Sequence, residues 1–381
     1  TCTVTAAADQ DVRKALRQVR RENPGARILV TGCYAQRAPD ELAAFPGVTW
    51  VVGNADKPRI AELVAVSSSS GCCVQVGDPG GRPELRWVAP GLYTEDRTRP
   101  NLKIQDGCSA RCSFCLIPLV RGPSRSAPEE WVVEQVRRLS PHYRELVLSG
   151  INLGRWGRDL RPRLRLADLV RRLLAETSVE RLRLSSVEPM DLTDSLLELM
   201  AASARLARHL HVPLQSGSDA VLRRMRRRYR VRHYEERLRR ARQWLPEAAL
   251  GADVLVGFPG ETDAEFDQTR ALVERLPLTY LHVFTFSARP GTPAASAFGQ
   301  VPVGVRRERN RMLRELGAAK NLAFRQSMVG KTLSVVTLGR PRLALSDNYL
   351  KVALASPREP NRLLEIEIGG LTETGLREKA L

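Results

Sequence analysis

Leu102-Lys103-Ile104-Gln105-Asp106-Gly107-Cys108-Ser109-Ala110-Arg111-Cys112-Ser113-Phe114-Cys115 is the stretch on which the reading of this chain turns. Leu102-Lys103-Ile104 reads as a strand, and behind it come three cysteines spaced C-x3-C-x2-C. Thiolates so close together on one loop serve a shared ligand rather than three distant partners. Four of them suit structural zinc or a fully ligated iron–sulfur cluster, whereas three leave one iron of a [4Fe–4S] cluster open. A zinc knuckle completed by a remote histidine and three unrelated free thiols are the other readings of this spacing.

Working outward, strands recur at 145–148, 181–185, 209–213, 252–256 and 281–286, after the one at 102–104. Helical segments alternate with them near 166–176, 192–201, 218–226, 232–245 and 261–275. Ser126-Ala127-Pro128-Glu129 fits a capping box that opens a helix to Leu139. An eight-unit barrel typically takes about 250 residues, so an incomplete (βα)6 barrel is the better fit. Upstream, an amphipathic helix at 9–21 precedes strands at 27–31 and 48–52, predicting a small α/β, Rossmann-like domain. The Ser67–Ser70 run and the following Gly/Pro cluster read as a linker or loop. A long charged helix at 305–326 leads to short β-like runs at 332–338, 350–354 and 363–368, which predict a small β-barrel. The expected division is therefore 1–66, a linker at 67–98, a core at 99–326 and a β module at 327–381.

The 381 residues carry 60 Lys and Arg against 42 Asp and Glu, a net +18 that favours an anionic partner, nucleic acid first. A hydrophobic content of 43% excludes wholesale disorder. No apolar run is long enough for a transmembrane helix, and Thr1-Cys2-Thr3 begins no signal peptide, so we expect a cytoplasmic protein without membrane partners. The missing initiator Met predicts that a segment lies upstream of Thr1. Seven cysteines, at 2, 33, 72, 73, 108, 112 and 115, are too sparse for a disulfide scaffold and point to metal ligation or catalysis.

The three-cysteine loop, with Phe114 before its last cysteine, resembles the signature of the radical S-adenosylmethionine (SAM) superfamily. Further segments narrow the resemblance to the methylthiotransferases: Thr31-Gly32-Cys33-Tyr34-Ala35-Gln36, Ser149-Gly150-Ile151-Asn152, Leu184-Ser185-Ser186-Val187-Glu188-Pro189, the run from His209 to Asp219, Arg226 to Tyr229, Gly251 to Thr262 and Phe284 to Thr292. They span nearly the whole chain and look most like the branch that modifies threonylcarbamoyladenosine in tRNA. Phe286 stands where that branch usually has Tyr.

The resemblance implies a partial barrel with its cluster at the strand C-termini. SAM would chelate the open iron through its amino and carboxylate groups, and an electron from the cluster would release a 5′-deoxyadenosyl radical. It implies a second, auxiliary [4Fe–4S] cluster, for which Cys2 and Cys33 match two of three ligands and the third would lie upstream. Phe114, Gly150, Asn152, Glu188 and Gln215 are the matching SAM-site candidates, with a loop hydrogen bond or helix cap as the alternative role for the last four. Ser216 is a further candidate, Ser218 reads as an N-cap, and Cys72 and Cys73 match no ligand. His209 and His211 share one strand face and read as satisfied structural groups.

Arg226, Arg227, Arg228 and Tyr229, within the basic run 223–230, read either as a phosphate patch with a stacking platform or as a solvated helix end. By position the C-terminal module resembles the TRAM domain, an RNA-binding barrel. Together these features predict methylthiolation of C2 of N6-threonylcarbamoyladenosine at position 37, in the anticodon stem-loop. An electron donor such as flavodoxin or ferredoxin and a monomeric state are implied. The alternatives are an isopentenyladenosine tRNA or a ribosomal-protein aspartate as substrate, or an RNA-binding module with impaired catalysis.

Overall fold

A computed structural model describes residues 1–66, 71–80, 87–88, 91 and 98–380. It separates into two compact units, and the division does not follow the chain linearly. One unit holds Thr1–Val88, Asp106–Arg125 and Ser287–Phe298; the other holds Ala89–Gln105, Ser126–Phe286 and Gly299–Leu381. The cysteine loop thus groups with the N-terminal segment. Most of the interval expected to be a linker lies outside the described residues.

In the first unit, helix α1 (Ala6–Glu22) begins where the Thr5 hydroxyl accepts from the Ala8 amide at 3.1 Å, which satisfies one of the free donors of the first turn. Strands β1 (Ile28–Thr31), β2 (Val48–Val52) and β3 (Cys73–Gln75) form a parallel sheet in that order. Short helices α2 (Cys33–Arg37) and α3 (Pro39–Ala43) link the first two strands, and α4 (Ile60–Val66) follows the second. Leu16, Val30, Tyr34, Leu42, Val48 and Val51 close the core between sheet and helices. Strand β3 corrects the loop reading of this segment. Three residues carry no alternation that sequence could reveal; pairing with β2 makes them a strand. Cys73 pairs opposite Trp50, and Cys72 packs against the core. Helix α5 (Ile117–Arg121) follows the cysteine loop.

In the second unit, β4 (Asn101–Asp106), β6 (Glu145–Gly150) and β7 (Arg181–Leu184) run parallel, with the two-residue β5 (Arg125–Ser126) beside β4. A second parallel sheet holds β8 (His209–His211), β9 (Ala249–Val256) and β10 (Tyr280–Thr285). Backbone bonds join the sheets: Leu182 N to Arg205 O at 2.8 Å, Ala207 N to Leu182 O at 2.9 Å and Val187 N to His211 O at 2.9 Å. The parallel order is therefore β4-β6-β7-β8-β9-β10, the incomplete six-unit barrel expected from the alternation. Leu146, Leu148, Leu182, Leu210, Leu250 and Val254 are fully buried or nearly so, as strands covered on both faces require. Helices α6 (Glu129–Leu139), α7 (Leu166–Glu176), α8 (Asp194–Ala202), α9 (Asp219–Arg224), α10 (Val231–Trp244) and α11 (Asp263–Arg275) fill the crossovers.

The capping box expected at Ser126 is not formed. Pro128 is the N-cap of α6 and makes no side-chain cap bond. Ser126 belongs to β5, and its hydroxyl bonds Asp159 Oδ1 at 2.5 Å and accepts from Gly157 N at 2.8 Å. A reciprocal box is instead built at α11, where Thr262 Oγ1 accepts from Glu265 N at 3.2 Å and Glu265 accepts from Thr262 N at 2.9 Å.

Helix α12 (Val303–Gln326) lies along β10. From it Arg306, Asn310 and Asn321 donate to the carbonyls of Phe286 (2.8 Å), Val283 (3.1 Å) and Thr279 (3.4 Å). Strands β11 (Thr332–Thr337), β12 (Leu343–Ser346), β13 (Lys351–Ala353), β14 (Leu363–Leu371) and β15 (Leu376–Glu378) then close a five-stranded barrel in the order β11-β12-β13-β15-β14. Sequence patterning missed β12 and β15, whose short runs complete the closure.

Leu333, Val335, Val352, Ile366 and Leu376 share one core with Phe324, Met328 and Ala249, so the small barrel is packed onto the end of α12 and the start of β9. A buried ionic knot reinforces this join. Glu145 meets Arg183 Nε at 2.7 Å, Arg99 at 3.4 Å and Arg181 at 3.5 Å. Arg181 donates to Ser334 Oγ at 2.6 Å, and Arg183 donates to the carbonyls of Ser346 and Asp347, both at 3.0 Å. Burial pushes the Glu145 carboxyl up, but Arg183, Arg99 and Arg181 outweigh it and hold the group below the ordinary carboxylate range.

Candidate active site

The cysteine loop is closed at its base by backbone. Cys108 N donates to Gly122 O at 3.0 Å, and Cys115 N to Cys112 O at 3.2 Å. Gly107, at φ +70°, starts the loop where any Cβ would collide with the Pro123 carbonyl, so only glycine lets the two ends of the loop meet. Cys108, Cys112 and Cys115 are half-buried and outside any disulfide, and Cys115 Sγ accepts from Ile117 N at 3.4 Å. Phe114 is likewise half-buried. Three thiols outside any disulfide on a backbone-closed loop fit an iron–sulfur cluster held by three cysteines.

In the same unit Cys33 N donates to Thr1 O at 2.9 Å, which brings the segment carrying Cys2 to the end of β1. Cys2 is exposed and Cys33 buried. Arg121 Nε donates to Cys33 Sγ at 3.2 Å, and its Nη1 donates to Asp106 Oδ1 at 3.1 Å. Burial lowers the Arg121 pKa, yet Asp106 and Cys33 together raise it above its ordinary value. Thr3 is fixed by a buried network in which its hydroxyl donates to Asp9 at 2.6 Å and accepts from Arg37 and Arg289, both at 2.8 Å. Sequence reading missed Asp106, Arg121 and Asp9. The signal available was a charged residue flanking each cysteine segment, which looks like any solvated charge until burial is known.

In the second unit the SAM-site candidates lie at strand ends. Gly150 ends β6, and a Cβ there would stand 2.8 Å from that of Gln105. The fully buried Gln105 accepts from Asn152 N at 2.7 Å. Gln105, missed in the sequence, therefore sets the turn that carries Gly150 and Asn152. Gln215 adopts φ +64° and donates its amide to Asp253 O at 2.8 Å.

Glu188, a SAM-site candidate, forms an ion pair with Arg227. The expectations for the basic run are corrected here. Arg227 is accordingly largely buried and committed, so it is not a free phosphate ligand. Tyr229 is no stacking platform: its ring is 3% exposed and its hydroxyl donates to Leu214 O at 2.7 Å. Arg226 and Arg228 remain exposed. Ser216 is fully buried against Thr269. Ser218 does stand at the N-cap of α9, without a side-chain cap bond. Phe286 is buried edge-on against Phe258 at 5.6 Å, a setting that needs no hydroxyl. No helix among the described residues is long and apolar enough to cross a membrane.

Residues 102–273 match the family model of the radical SAM superfamily, and residues 1–53 match uncharacterized protein family UPF0004. A threonylcarbamoyladenosine tRNA methylthiotransferase MtaB of Aquifex aeolicus (strain VF5) is 36% identical over 370 residues, covering 97% of this chain and 89% of that one. A ribosomal protein uS12 methylthiotransferase RimO of Desulforudis audaxviator is 34% identical over 401 residues, covering 100% and 88%. Among solved structures, the radical SAM methyltransferase TsrM from Kitasatospora setae, with cobalamin and a [4Fe–4S] cluster bound, superposes with a TM-score of 0.57 at 16% identity, over 75% of this chain and 62% of that one; this likeness bears on the fold alone. With relatives this similar over nearly their whole length, the chain belongs to the radical SAM methylthiotransferases, iron–sulfur enzymes that use SAM to transfer a methylthio group.

Proposed function

We propose that this enzyme methylthiolates C2 of N6-threonylcarbamoyladenosine at position 37 of tRNA, in the cytoplasm. The observation that carries the reading is the 36% identity, across 89% of its length, to a relative named for that reaction. The closed C-terminal barrel and the net +18 charge support a nucleic acid over a protein substrate. In this reading Cys108, Cys112 and Cys115 hold the radical cluster, and Cys2 and Cys33 contribute to the auxiliary one. The radical cluster, when bound, supplies the electron that cleaves SAM to methionine and a 5′-deoxyadenosyl radical. The chain's own part is positional. Gly107 and Gly122 close the thiol loop, Arg121 keeps Cys33 beside a positive charge, and Gln105 presents the backbone of Gly150 and Asn152. Gln215 follows β8 at the same strand ends. Arg226 and Arg228 offer exposed cations to RNA phosphates.

Nucleoside mass spectrometry of tRNA from a gene-deletion strain tests the proposal. Loss of the methylthio group from threonylcarbamoyladenosine is expected, with recovery on complementation by the gene and none by its Cys112→Ala form. Normal levels in the deletion strain would refute the assignment. Loss of methylthio from isopentenyladenosine or from a ribosomal-protein aspartate would reassign the substrate within the family.

A further inference from the structure

His211, Asp253 and His282 come from three adjacent strands, β8, β9 and β10, with Asp253 and His282 in direct register. Asp253 Oδ1 lies 3.1 Å from His211 Nε2 and 3.3 Å from His282 Nδ1. One ligand atom from each of the three residues falls within 4.8 Å of the others. Metal bonds of about 2.0–2.1 Å in tetrahedral geometry place neighbouring ligand atoms about 3.3 Å apart. The two measured separations match that edge length.

The surroundings supply an outer shell. The Tyr280 hydroxyl lies 3.0 Å from His211 Nδ1 and 2.7 Å from His209 Nε2. His209 is buried, and burial followed by the charge of Arg183 keeps it neutral. Tyr280 has one hydroxyl proton for two imidazoles, so one of the histidines must donate to it. In the tautomer whose Nδ1–H donates to Tyr280, His211 turns its Nε2 lone pair to the side on which Asp253 stands. A histidine ligand oriented by a hydrogen bond at its other nitrogen is the usual arrangement around a bound metal. The side chain of His282 is 53% exposed and that of Asp253 26%, which leaves an approach for an ion.

We propose that His211, Asp253 and His282 form a binding site for a divalent first-row transition cation, separate from the cysteine ligands. Two imidazoles and one carboxylate are a ligand set that suits zinc or ferrous iron.

Zinc is the probe. Reconstituted holoenzyme is incubated with zinc chloride, desalted, and its zinc and iron are measured by plasma mass spectrometry, alongside His282→Ala and Asp253→Asn. The expected result is about one zinc per chain in the unaltered enzyme, lost in both variants, with iron the same in all three. His282 is exposed, so its replacement leaves the core intact, and circular dichroism verifies this. Retention of zinc by the variants at the unaltered level would overturn the proposal. So would no zinc above buffer, which would make the trio a hydrogen-bond relay, or zinc gained only as iron is lost, which would place it on the cysteines.

Discussion

Arg121 shows how much one side chain can organise. It touches a buried thiol and a buried carboxylate at once, with 6% of the Asp106 side chain exposed. Removing the cation takes the ion pair from that carboxylate, and breaking a buried pair from one side costs about 3–5 kcal/mol. Arg121→Leu is therefore expected to lower the unfolding free energy by roughly 3 kcal/mol in denaturant titration, whereas the Arg121→Leu, Asp106→Leu double variant recovers part of the loss. Equal losses in the two would mean that the ion pair contributes little. At this scale the sequence was legible where chemistry is carried by spacing and illegible where it is carried by burial. The three cysteines of the loop announce themselves. Tyr229 and Arg227 sit in a run of arginines that reads as an accessible patch, yet the fold turns one inward to a carbonyl and commits the other to Glu188.

Single elements show the same contrast between local and tertiary signals. Strands β6 and β9 were legible through their apolar runs, whose residues are largely buried on both faces. Strand β3 was not, since its partner β2 confers its identity, and neither were β12 and β15, which barrel closure defines. Ser126-Ala127-Pro128-Glu129 has the form of a capping box, but Pro128 takes the cap and Asp159 takes the serine. The box that forms, Thr262 with Glu265, opens α11, the crossover between β9 and β10. Thr262→Ala is expected to destabilise the protein by about 1 kcal/mol, read as a lowered midpoint in thermal melting, with Thr262→Ser close to the unaltered protein. An unchanged midpoint in Thr262→Ala would show that α11 is held by packing alone.

Across the second unit, Glu145 ties the base of the six-stranded barrel to the five-stranded one. Its carboxyl is held below the ordinary value of 4.5. Its stabilising contribution is thus complete above that value and is lost as pH falls through the depressed folded one. Glu145→Gln takes the shared anion from the buried Arg181 and Arg183 and the half-buried Arg99, a change expected to cost about 3–5 kcal/mol near neutrality. The difference from the unaltered protein should shrink as the solution is acidified through that range. A constant difference down to strong acid, followed by denaturant unfolding, would count against an ionised Glu145. Because the two barrels share core residues as well as this knot, both are expected to unfold in the same transition.

An open barrel must stop somewhere, and β10 is where this one stops. Helix α12 spends Arg306, Asn310 and Asn321 on the carbonyls of that final stretch. Unclaimed strand edges recruit strands from other molecules and seed aggregation. The long helix therefore serves as a stopper as well as a connector. A chain ending before Val303 would lose both the helix and the small barrel it carries, and would present a sticky border to its neighbours.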